Sequence, residues 1–317
     1  MYKPLYILFL LLIISIGSGK AQNLIYNGDF EIFDTCPSNI SELYRCDGWI
    51  TPTLGTSDYF NVCNNLTTWQ FAGVPNNQFG YQQPYSGDGY AGFFPFWDFY
   101  PCEYREYIQT KLTEKLKQNI KYRMTFYVSL SFPQAAVEKI GALFTTNQIS
   151  RNDDCPIFGS PQIVNQGGFL TDSLGWMKIE GEFVADGGEE YLTIGYFEDT
   201  TNSNDLVLPI LPDSITLGYF NPYYYIDGVE LIEVGFEVVI PNIISPNGDG
   251  INDLFQLNFP VLKTEIYNRW GQKLFESEND TFWNGRTTSG NEVPEGTYYY
   301  IIVTEEETYK GYLQLLR

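Results

Sequence analysis

The sequence predicts an all-β protein with two domains, each built as a sandwich of antiparallel sheets. Two observations carry this prediction: many short stretches alternate apolar and polar residues, and Gly, Pro, Asn and Ser separate most of them. The 317 residues are enough for two domains with separate cores. Tyr (25 residues) and Phe (23 residues) supply most of the aromatic side chains, and both favour half-buried sheet positions.

The clearest strand prediction is residues 122–130. Every second residue from Tyr122 to Leu130 is apolar or aromatic, so these side chains would share one face of a strand. The lysine-rich segment 113–119 predicts either a helical turn or a loop. Further strands are predicted at 105–112, 140–144, 177–184, 191–197, 223–232, 263–275 (two strands around a turn at 268–271), 293–303 and 309–317.

Composition excludes several classes of function. The formal net charge of -21 opposes binding to the phosphates of nucleic acids. The sequence contains no histidine, which removes the usual general base, Ser-His and Cys-His nucleophile pairs, and most catalytic zinc sites. Catalysis by paired carboxylates is the alternative that remains, with Asp98, Glu103 and Glu106 as its candidates. We predict a protein without enzymatic activity.

The N-terminus predicts a signal peptide at residues 1–21. Lys3 precedes an apolar run at 5–16, and residues 19–21 form a small-x-small cleavage site. The apolar run is too short to span a membrane comfortably as an anchor. No later run is long and apolar enough to cross a bilayer, so the mature chain is expected to have no transmembrane segment.

Export makes disulfides plausible for the five cysteines, all of which lie in the first half of the chain. Spacing alone does not decide how they pair, and the odd number leaves at least one thiol unpaired within the chain. The absence of a CxxC pair and of histidine argues against a metal-thiolate site. The candidates are Cys36, Cys46, Cys63, Cys102 and Cys155.

Two further stretches are candidate binding sites. The loop at 243–255 places Asn247, Asp249 and Asp253 where one calcium ion could collect their oxygens; the alternative is a turn capped by these side chains. The segment 93–100 carries six rings, too many to bury along one alternating strand. Sugar stacking or core packing could explain its rings. The candidate ligand-binding residues are Phe96, Trp97, Asp98 and Tyr100, with Trp49 and Trp69 as further exposed-ring candidates.

The first domain resembles the galactose-binding-like jelly roll of many carbohydrate-binding modules. The resemblance lies in residues 27–31 (Asn-Gly-Asp-Phe-Glu) and 225–232 (Tyr-Ile-Asp-Gly-Val-Glu-Leu-Ile). It implies a jelly-roll module at 22–235 whose first and last strands lie side by side. It also implies a structural calcium ion held by Glu31 and Asp227, and contact with a glycan or a protein. The segments 36–37, 48–49, 58–61, 73–77 and 86–92 resemble an exported surface module of gliding and related gram-negative bacteria.

The last domain resembles the gliding-motility-associated C-terminal domain, which sorts cargo of the type IX secretion system. The matching motifs are residues 245–253 (Ser-Pro-Asn-Gly-Asp-Gly-Ile-Asn-Asp), 266–271, 283–285, 293–298 and 311–317. The resemblance implies a smaller immunoglobulin-like β-sandwich at 236–317. It also implies the outer-membrane machinery of that system as a partner.

Together these observations predict an exported, non-enzymatic protein of a gram-negative bacterial surface or its surroundings. The first domain would bind a surface glycan or another surface protein, and the last would serve export. The alternatives are a structural or adhesive component that binds no small ligand and, less favoured, a glycoside-active enzyme.

Overall fold

The computed structural model describes residues 22–66, 71–97, 102–131, 135–198, 207–209, 221–236, 238–278, 282–305 and 307–317. Within these ranges the regular structure consists of strands and two short 3-10 helices, Leu43–Arg45 and Val62–Leu66, so the predicted all-β class is confirmed. No helix in them is long and apolar enough to cross a membrane. The predicted signal peptide, residues 1–21, lies outside the described residues.

Strands β1 to β14 belong to the part of the chain before residue 237. Their bounds are β1 Trp49–Ile50, β2 Asp58–Asn61, β3 Asn76–Asn77, β4 Gly80–Tyr81, β5 Gly89–Phe93, β6 Ile108–Lys111, β7 Ile120–Leu130, β8 Ala135–Val137, β9 Gly141–Thr145, β10 Ile163–Val164, β11 Met177–Val184, β12 Tyr191–Gly195, β13 Val207–Pro209 and β14 Tyr224–Phe236.

Two five-stranded sheets form a sandwich. Their strand orders are β1-β6-β12-β9-β10 and β11-β7-β14-β5-β2, and neighbouring strands run antiparallel. The predicted inward face of β7 is confirmed, because Met124, Phe126 and Val128 are fully buried in the core between the sheets. We call the sheet containing β7 and β14 the front sheet.

Two strand predictions differ from the structure, and the structure decides between two alternatives for a third segment. The strand predicted at 105–112 begins only at Ile108, because the backbone amides of Arg105 and Glu106 donate to the carbonyls of Asp154 and Phe94 and not to a neighbouring strand of the sheet. For segment 113–119 the structure shows the loop, one of the two predicted alternatives, and backbone hydrogen bonds tie its Leu116 to residues 188 and 189. The first strand that the jelly-roll resemblance implies is reduced to a single bridge at Ile25.

The two ends of the first domain nevertheless lie side by side, as the jelly-roll resemblance implies. The amide of Leu24 donates to the carbonyl of Leu231 at 2.8 Å, and the amide of Val229 donates to the carbonyl of Gly28 at 2.8 Å. Asn23 adds side-chain bonds to both Val229 and Leu231. These bonds close the module on itself.

Two disulfides are present, Cys36–Cys63 and Cys102–Cys155. They close loops whose ends are 27 and 53 residues apart. Cys46 is the thiol left over; it is buried, and burial raises the pKa of its thiol. The side chain of Asn27 donates to its sulfur.

Strands β15 to β21 build the last part of the chain. The order β15-β21-β20-β17-β18 forms a five-stranded sheet, antiparallel except for the β15-β21 pair, and β16-β19 forms a second, two-stranded sheet. Their core is centred on Trp283, Phe255 and Ile302, all fully buried. The bounds are β15 Ile243–Ile244, β16 Phe255–Gln256, β17 Lys263–Tyr267, β18 Lys273–Glu278, β19 Phe282–Trp283, β20 Gly296–Val303 and β21 Thr308–Leu315.

Candidate functional site

The described part of the aromatic segment, residues 93–97, is buried or half-buried. Phe93 is fully buried, and Phe96 and Trp97 are half-buried. Trp97 packs edge-on against Tyr104, with ring centroids 5.9 Å apart. Asp98 and Tyr100 lie outside the described residues. Ligand binding by this segment stays a prediction.

Trp49, one of the candidate exposed rings, lies in the core instead, which is the alternative of core packing. It is 1% exposed, its ring stacks on Phe30 at 4.9 Å, and its indole N–H donates to the carbonyl of Asn27. A tryptophan whose N–H reaches a buried carbonyl can be placed in a core without an unsatisfied donor. Trp69 lies outside the described residues.

The described carboxylates considered for catalysis, Glu103 and Glu106, form an ion pair and hydrogen bonds within the protein. Glu106 accepts hydrogen bonds from Thr56, the amide of Phe94 and the hydroxyl of Tyr104. Burial raises the pKa of its carboxyl. Glu103 forms an ion pair with the buried Arg105. Asp98 is outside the described residues, so the structure shows no open pair of acids around the aromatic segment within its described part.

A second buried carboxyl, Asp58, belongs to the same region. It accepts hydrogen bonds from the hydroxyl of Tyr223 and the amide of Ser41. Burial, and then repulsion from Glu106, raise the pKa of Asp58. A glycosidase acid must contact its substrate, and Asp58 and Glu106 are only 2% and 1% exposed.

The front sheet carries a second, smaller aromatic core on the side away from the main core. Its fully buried rings include Phe60, Tyr90 and Tyr225, and Phe79 from the covering segment packs against them. These rings and the covering segment close part of the outer face of the front sheet. A ligand can therefore reach only the remaining part of that face. Sequence periodicity did not show which half would stay open.

On the open half lies a groove of about 470 Å³, which we call the tyrosine-acid groove. It runs between the first residues of the module and the strands β7 and β14. Its lining residues are Asn23, Ile25, Asn27, Gly28, Asp29, Tyr85, Thr125, Tyr127, Gly228, Val229 and Glu230.

Tyr85 presents the exposed ring of this groove. The ring is stacked on Tyr127, with centroids 3.7 Å apart and an interplanar angle of 17°, and Tyr85 stays 45% exposed. A hydrogen bond with Tyr85, together with burial, raises the pKa of Tyr127 to about 12. Trp176 supports the segment that carries Tyr85, because its ring meets Tyr85 edge-on and its N–H donates to the carbonyl of Gln83.

Two carboxylates of the groove remain available for a ligand. The side-chain amides of Asn23 and Asn27 are hydrogen-bonded to backbone groups, and the hydroxyl of Thr125 donates to the carboxylate of Glu180. The carboxylates of Asp29 and Glu230 are exposed and make no hydrogen bond or ion pair with another described residue. The groove therefore combines one flat ring face with two free hydrogen-bond acceptors.

The predicted calcium pair, Glu31 and Asp227, lies at a turn beside this groove. Asp227 is fully buried, and burial raises the pKa of its carboxyl to about 8. It accepts the amides of Ser86 (3.0 Å) and Gly228 (2.6 Å). A buried carboxyl without a cationic partner is a chemically suitable calcium ligand, but calcium needs six to eight oxygens.

Glu31 holds the same turn from the other side. One of its oxygens accepts the amides of Asp88 (2.7 Å) and Gly89 (3.0 Å). Gly87 in this turn has a φ of +62°, a left-handed conformation that favours glycine. The amides already satisfy part of both carboxylates, so hydrogen bonding to the backbone is the alternative to calcium for this pair.

The loop around Asn247 is a capped turn. Asp253 accepts the amides of Asn247, Gly248 and Gly250 at 2.8 to 2.9 Å, and these bonds lower the pKa of its carboxyl. The side chain of Asn247 donates to Asp249 at 2.9 Å. These bonds correspond to the alternative in which side chains cap the turn, and calcium in this loop stays a prediction.

One cluster among the described residues brings three potential metal-binding groups together: Cys102, Asp154 and Cys155. Both cysteines are joined in a disulfide, so neither offers a thiolate. This cluster is not a metal site.

Comparison with known protein families identifies the end of the chain. Residues 238–315 match the CHU_C Type IX secretion signal domain. No curated protein matches the chain.

Several solved structures are distantly similar. One is the K1 cleaved adhesin domain of Lys-gingipain from Porphyromonas gingivalis W83 (14% identity, TM-score 0.33, covering 60% of this chain and 92% of that chain). Another is a proposed sugar-binding protein from Bacteroides thetaiotaomicron VPI-5482 (12% identity, TM-score 0.30, covering 67% of this chain and 100% of that chain). A third is the CBM22-1-GH10 part of xylanase 10B from Clostridium thermocellum (11%, TM-score 0.32, 68% and 32%).

The family match and the small sandwich at its position agree with each other. A signal domain of this type directs a protein to the cell surface or out of the cell. Residues 238–315 are therefore a type IX secretion signal domain, and the protein that carries them is an exported one.

Proposed function

We propose that residues 22–235 form a non-enzymatic module that binds a neutral glycan in the tyrosine-acid groove, and that the signal domain delivers this module to the bacterial surface. The observation that carries the proposal is the exposed ring of Tyr85 beside the free carboxylates of Asp29 and Glu230. A few well-placed polar groups around an aromatic surface are typical of ligand sites.

The chemistry of the groove suits a sugar. The C–H face of a sugar ring would stack on Tyr85, while its hydroxyls would donate to Asp29 and Glu230. Tyr85 needs little further ordering, because Tyr127 and Trp176 already hold it. The two carboxylates would repel an anionic glycan, so we expect the ligand to be uncharged.

Binding can be tested with a glycan array probed by the full chain and by the variant Tyr85→Ala. Removing the ring should weaken binding of a neutral glycan about tenfold, because loss of a stacking contact of about 1.4 kcal/mol corresponds to that factor. Tyr81→Ala is the matched control, because Tyr81 is 59% exposed and does not line the groove. Equal binding by both variants, or no neutral glycan bound at all, would contradict the proposal and favour a purely structural or adhesive role.

The absence of catalysis needs its own measurement. The full chain incubated with any glycan that it binds should release no reducing sugar. Release that is lost in Asp29→Asn and Glu230→Gln would instead make the groove an active site with a pair of acids.

Export can be tested in the cells that make the protein. A chain that ends at Val234 should remain inside the outer membrane, whereas the full chain reaches the surface after removal of residues 1–21. The signal domain would then act on the outer-membrane machinery of the type IX system. A truncated chain that still reached the surface would refute this part of the proposal.

We also propose that calcium binds between Glu31 and Asp227 as a structural ion. Support comes from the buried carboxyl of Asp227, which has no cationic partner among the described residues. A divalent ion would offset the cost of burying its charge.

A further inference from the structure

The outer face of the signal domain carries a row of three tyrosines. Tyr267 on β17 lies opposite Tyr299 on β20, and Tyr299 lies opposite Tyr312 on β21. Adjacent strands are about 4.8 Å apart, so the three side chains form one continuous strip across the sheet. Tyr299 and Tyr312 are 46% and 63% exposed.

The row faces outward because its neighbours along each strand face inward. Those neighbours include Ile266, Tyr298 and Leu313, which are all buried in the core of this domain. Side chains alternate between the two faces of a strand, so burial of one set places the tyrosines on the solvent side. An outward tyrosine row contributes little to the core that it lies behind.

The row belongs to a groove of about 740 Å³, which we call the tyrosine-cation groove. Arg269 and Lys310 line it, and none of its lining residues is acidic. That is unusual in a chain with a net charge of -21. Its defining residues are Tyr267, Arg269, Tyr299, Lys310 and Tyr312.

The two cations are also the ones left without an acidic partner. The domain contains six lysines and arginines, and four of them form ion pairs with acidic residues in its described part. Arg269 and Lys310 form no ion pair with any described residue, and both are exposed. Glu265, which lies near on β17, is already held by Lys263 and Lys273.

The turn between β17 and β18 holds Arg269 in place. Asn268 caps this turn by accepting the amides of Trp270 and Gln272, each at 3.0 Å. The guanidinium of Arg269 lies 4.3 Å from the ring centroid of Trp270. The charge is therefore positioned at the end of the tyrosine row before any ligand arrives.

We propose that the tyrosine-cation groove binds an acidic polysaccharide. Consecutive sugar rings would stack along the tyrosine row, and their carboxylates would pair with Arg269 and Lys310. An acidic protein would match the charges equally well. A stable protein interface, however, needs about 800 Å² per partner around an apolar centre. Here Ile301, half-buried, is the one aliphatic side chain that lines the groove.

The probe for a test is polygalacturonate, with uncharged galactan as its neutral counterpart. Retention of the full chain by immobilised polygalacturonate should fall about tenfold in Arg269→Gln/Lys310→Gln, and comparably in Tyr299→Ala/Tyr312→Ala. Retention should also weaken as salt is raised, because the contacts are charged and exposed. Lys115→Gln/Lys117→Gln is the matched control, since it removes the same charge from cations that do not line the groove.

Three outcomes would overturn the proposal. They are unchanged retention in both groove variants, equal loss in the control variant, and polyglutamate competing as strongly as free polygalacturonate. The last would assign the groove to an acidic polypeptide. Galactan retention should not depend on these residues, so this test is separate from that of the tyrosine-acid groove. All four substituted groove residues are exposed, and an unchanged melting temperature will show that the variants fold.

Discussion

The two halves of the molecule carry aromatic grooves of opposite charge. In the first domain, Tyr85 stands beside the free carboxylates of Asp29 and Glu230. In the signal domain, Tyr299 and Tyr312 stand beside the free cations of Arg269 and Lys310. Tyrosine provides the flat surface in both, and the neighbouring charges would choose the ligand. A net charge for the whole chain therefore says little about the partner of either groove.

The halves also differ in what stabilises them. The first has two disulfides, which join residues 27 and 53 positions apart in the chain. The signal domain contains no cysteine and depends on a compact core around Trp283, with the ion pairs of Lys263, Lys273, Glu265 and Glu276 on its surface. Exposed ion pairs contribute little to the free energy of unfolding, so the core supplies most of the stability of the signal domain.

Reduction of the disulfides should produce the largest difference in stability between the first domain and the signal domain. In the loop-entropy model, bridges that span 27 and 53 residues are worth about 3–4 kcal/mol each. Reducing agent should therefore shift the urea unfolding of the first domain and leave the signal domain unchanged. Limited proteolysis along the urea series, with fragments assigned by mass spectrometry, would follow each half. Equal shifts in both halves would mean that they unfold as one unit.

Trp283→Ala should have the converse effect. Trp283 is fully buried, packs against Tyr298 and donates its indole N–H to the carbonyl of Arg286. Its removal should cost about 3–5 kcal/mol and destabilise the signal domain alone. Trp270→Ala is the control, because Trp270 is 75% exposed and its loss should change the stability by less than about 0.5 kcal/mol. Comparable losses in the two variants would contradict this view of the core.

Asp227→Asn should produce a smaller, pH-dependent change in the first domain. The pKa of Asp227 is about 8 in the folded state and near 4 in the unfolded chain, so the folded form holds its proton more tightly. The stabilisation is complete below about pH 4 and is lost as the pH rises to about 8. The melting temperature of the wild type should fall over this range relative to the variant.

Calcium provides a second measurement on the same residue. An ion bound between Glu31 and Asp227 would offset the loss at high pH, so a chelator should steepen the fall in the wild type and have no effect in Asp227→Asn. The slope with pH is the readout, because the variant also loses a hydrogen-bond acceptor at every pH. A wild type with no pH slope and no response to chelator would rule out both effects.

Much of the fold could be predicted from the sequence, because strands follow from the alternation of apolar and polar residues that are close in the chain. The alternation from Tyr122 to Leu130 places β7 within two residues of its observed start. The polar stretch at 105–107 misled the same reasoning, since Arg105 and Glu106 are buried by partners distant in the chain, among them Thr56 and Tyr196. The same reasoning left Trp49 between an exposed ring and core packing, because its partners are Phe30 and Asn27.

The grooves were not predicted. Tyr85 and Tyr127 are 42 positions apart in a sequence that contains 25 tyrosines, and nothing local marks these two as neighbours. In the signal domain, the run Tyr298 to Tyr300 is visible in the sequence, but the register that aligns Tyr299 with Tyr267 and Tyr312 is not. Register across strands depends on the packing of the whole sheet.

The sequence by itself therefore determined the all-β class, the principal strands and the type IX secretion signal domain, because periodicity, turn residues and ordered motifs are properties of neighbouring residues. The tertiary structure decided the cysteine pairing, the burial of Trp49 and Glu106, and the opposite charges of the two grooves. Each of these depends on which distant side chains meet, and on which charges are already neutralised when they do.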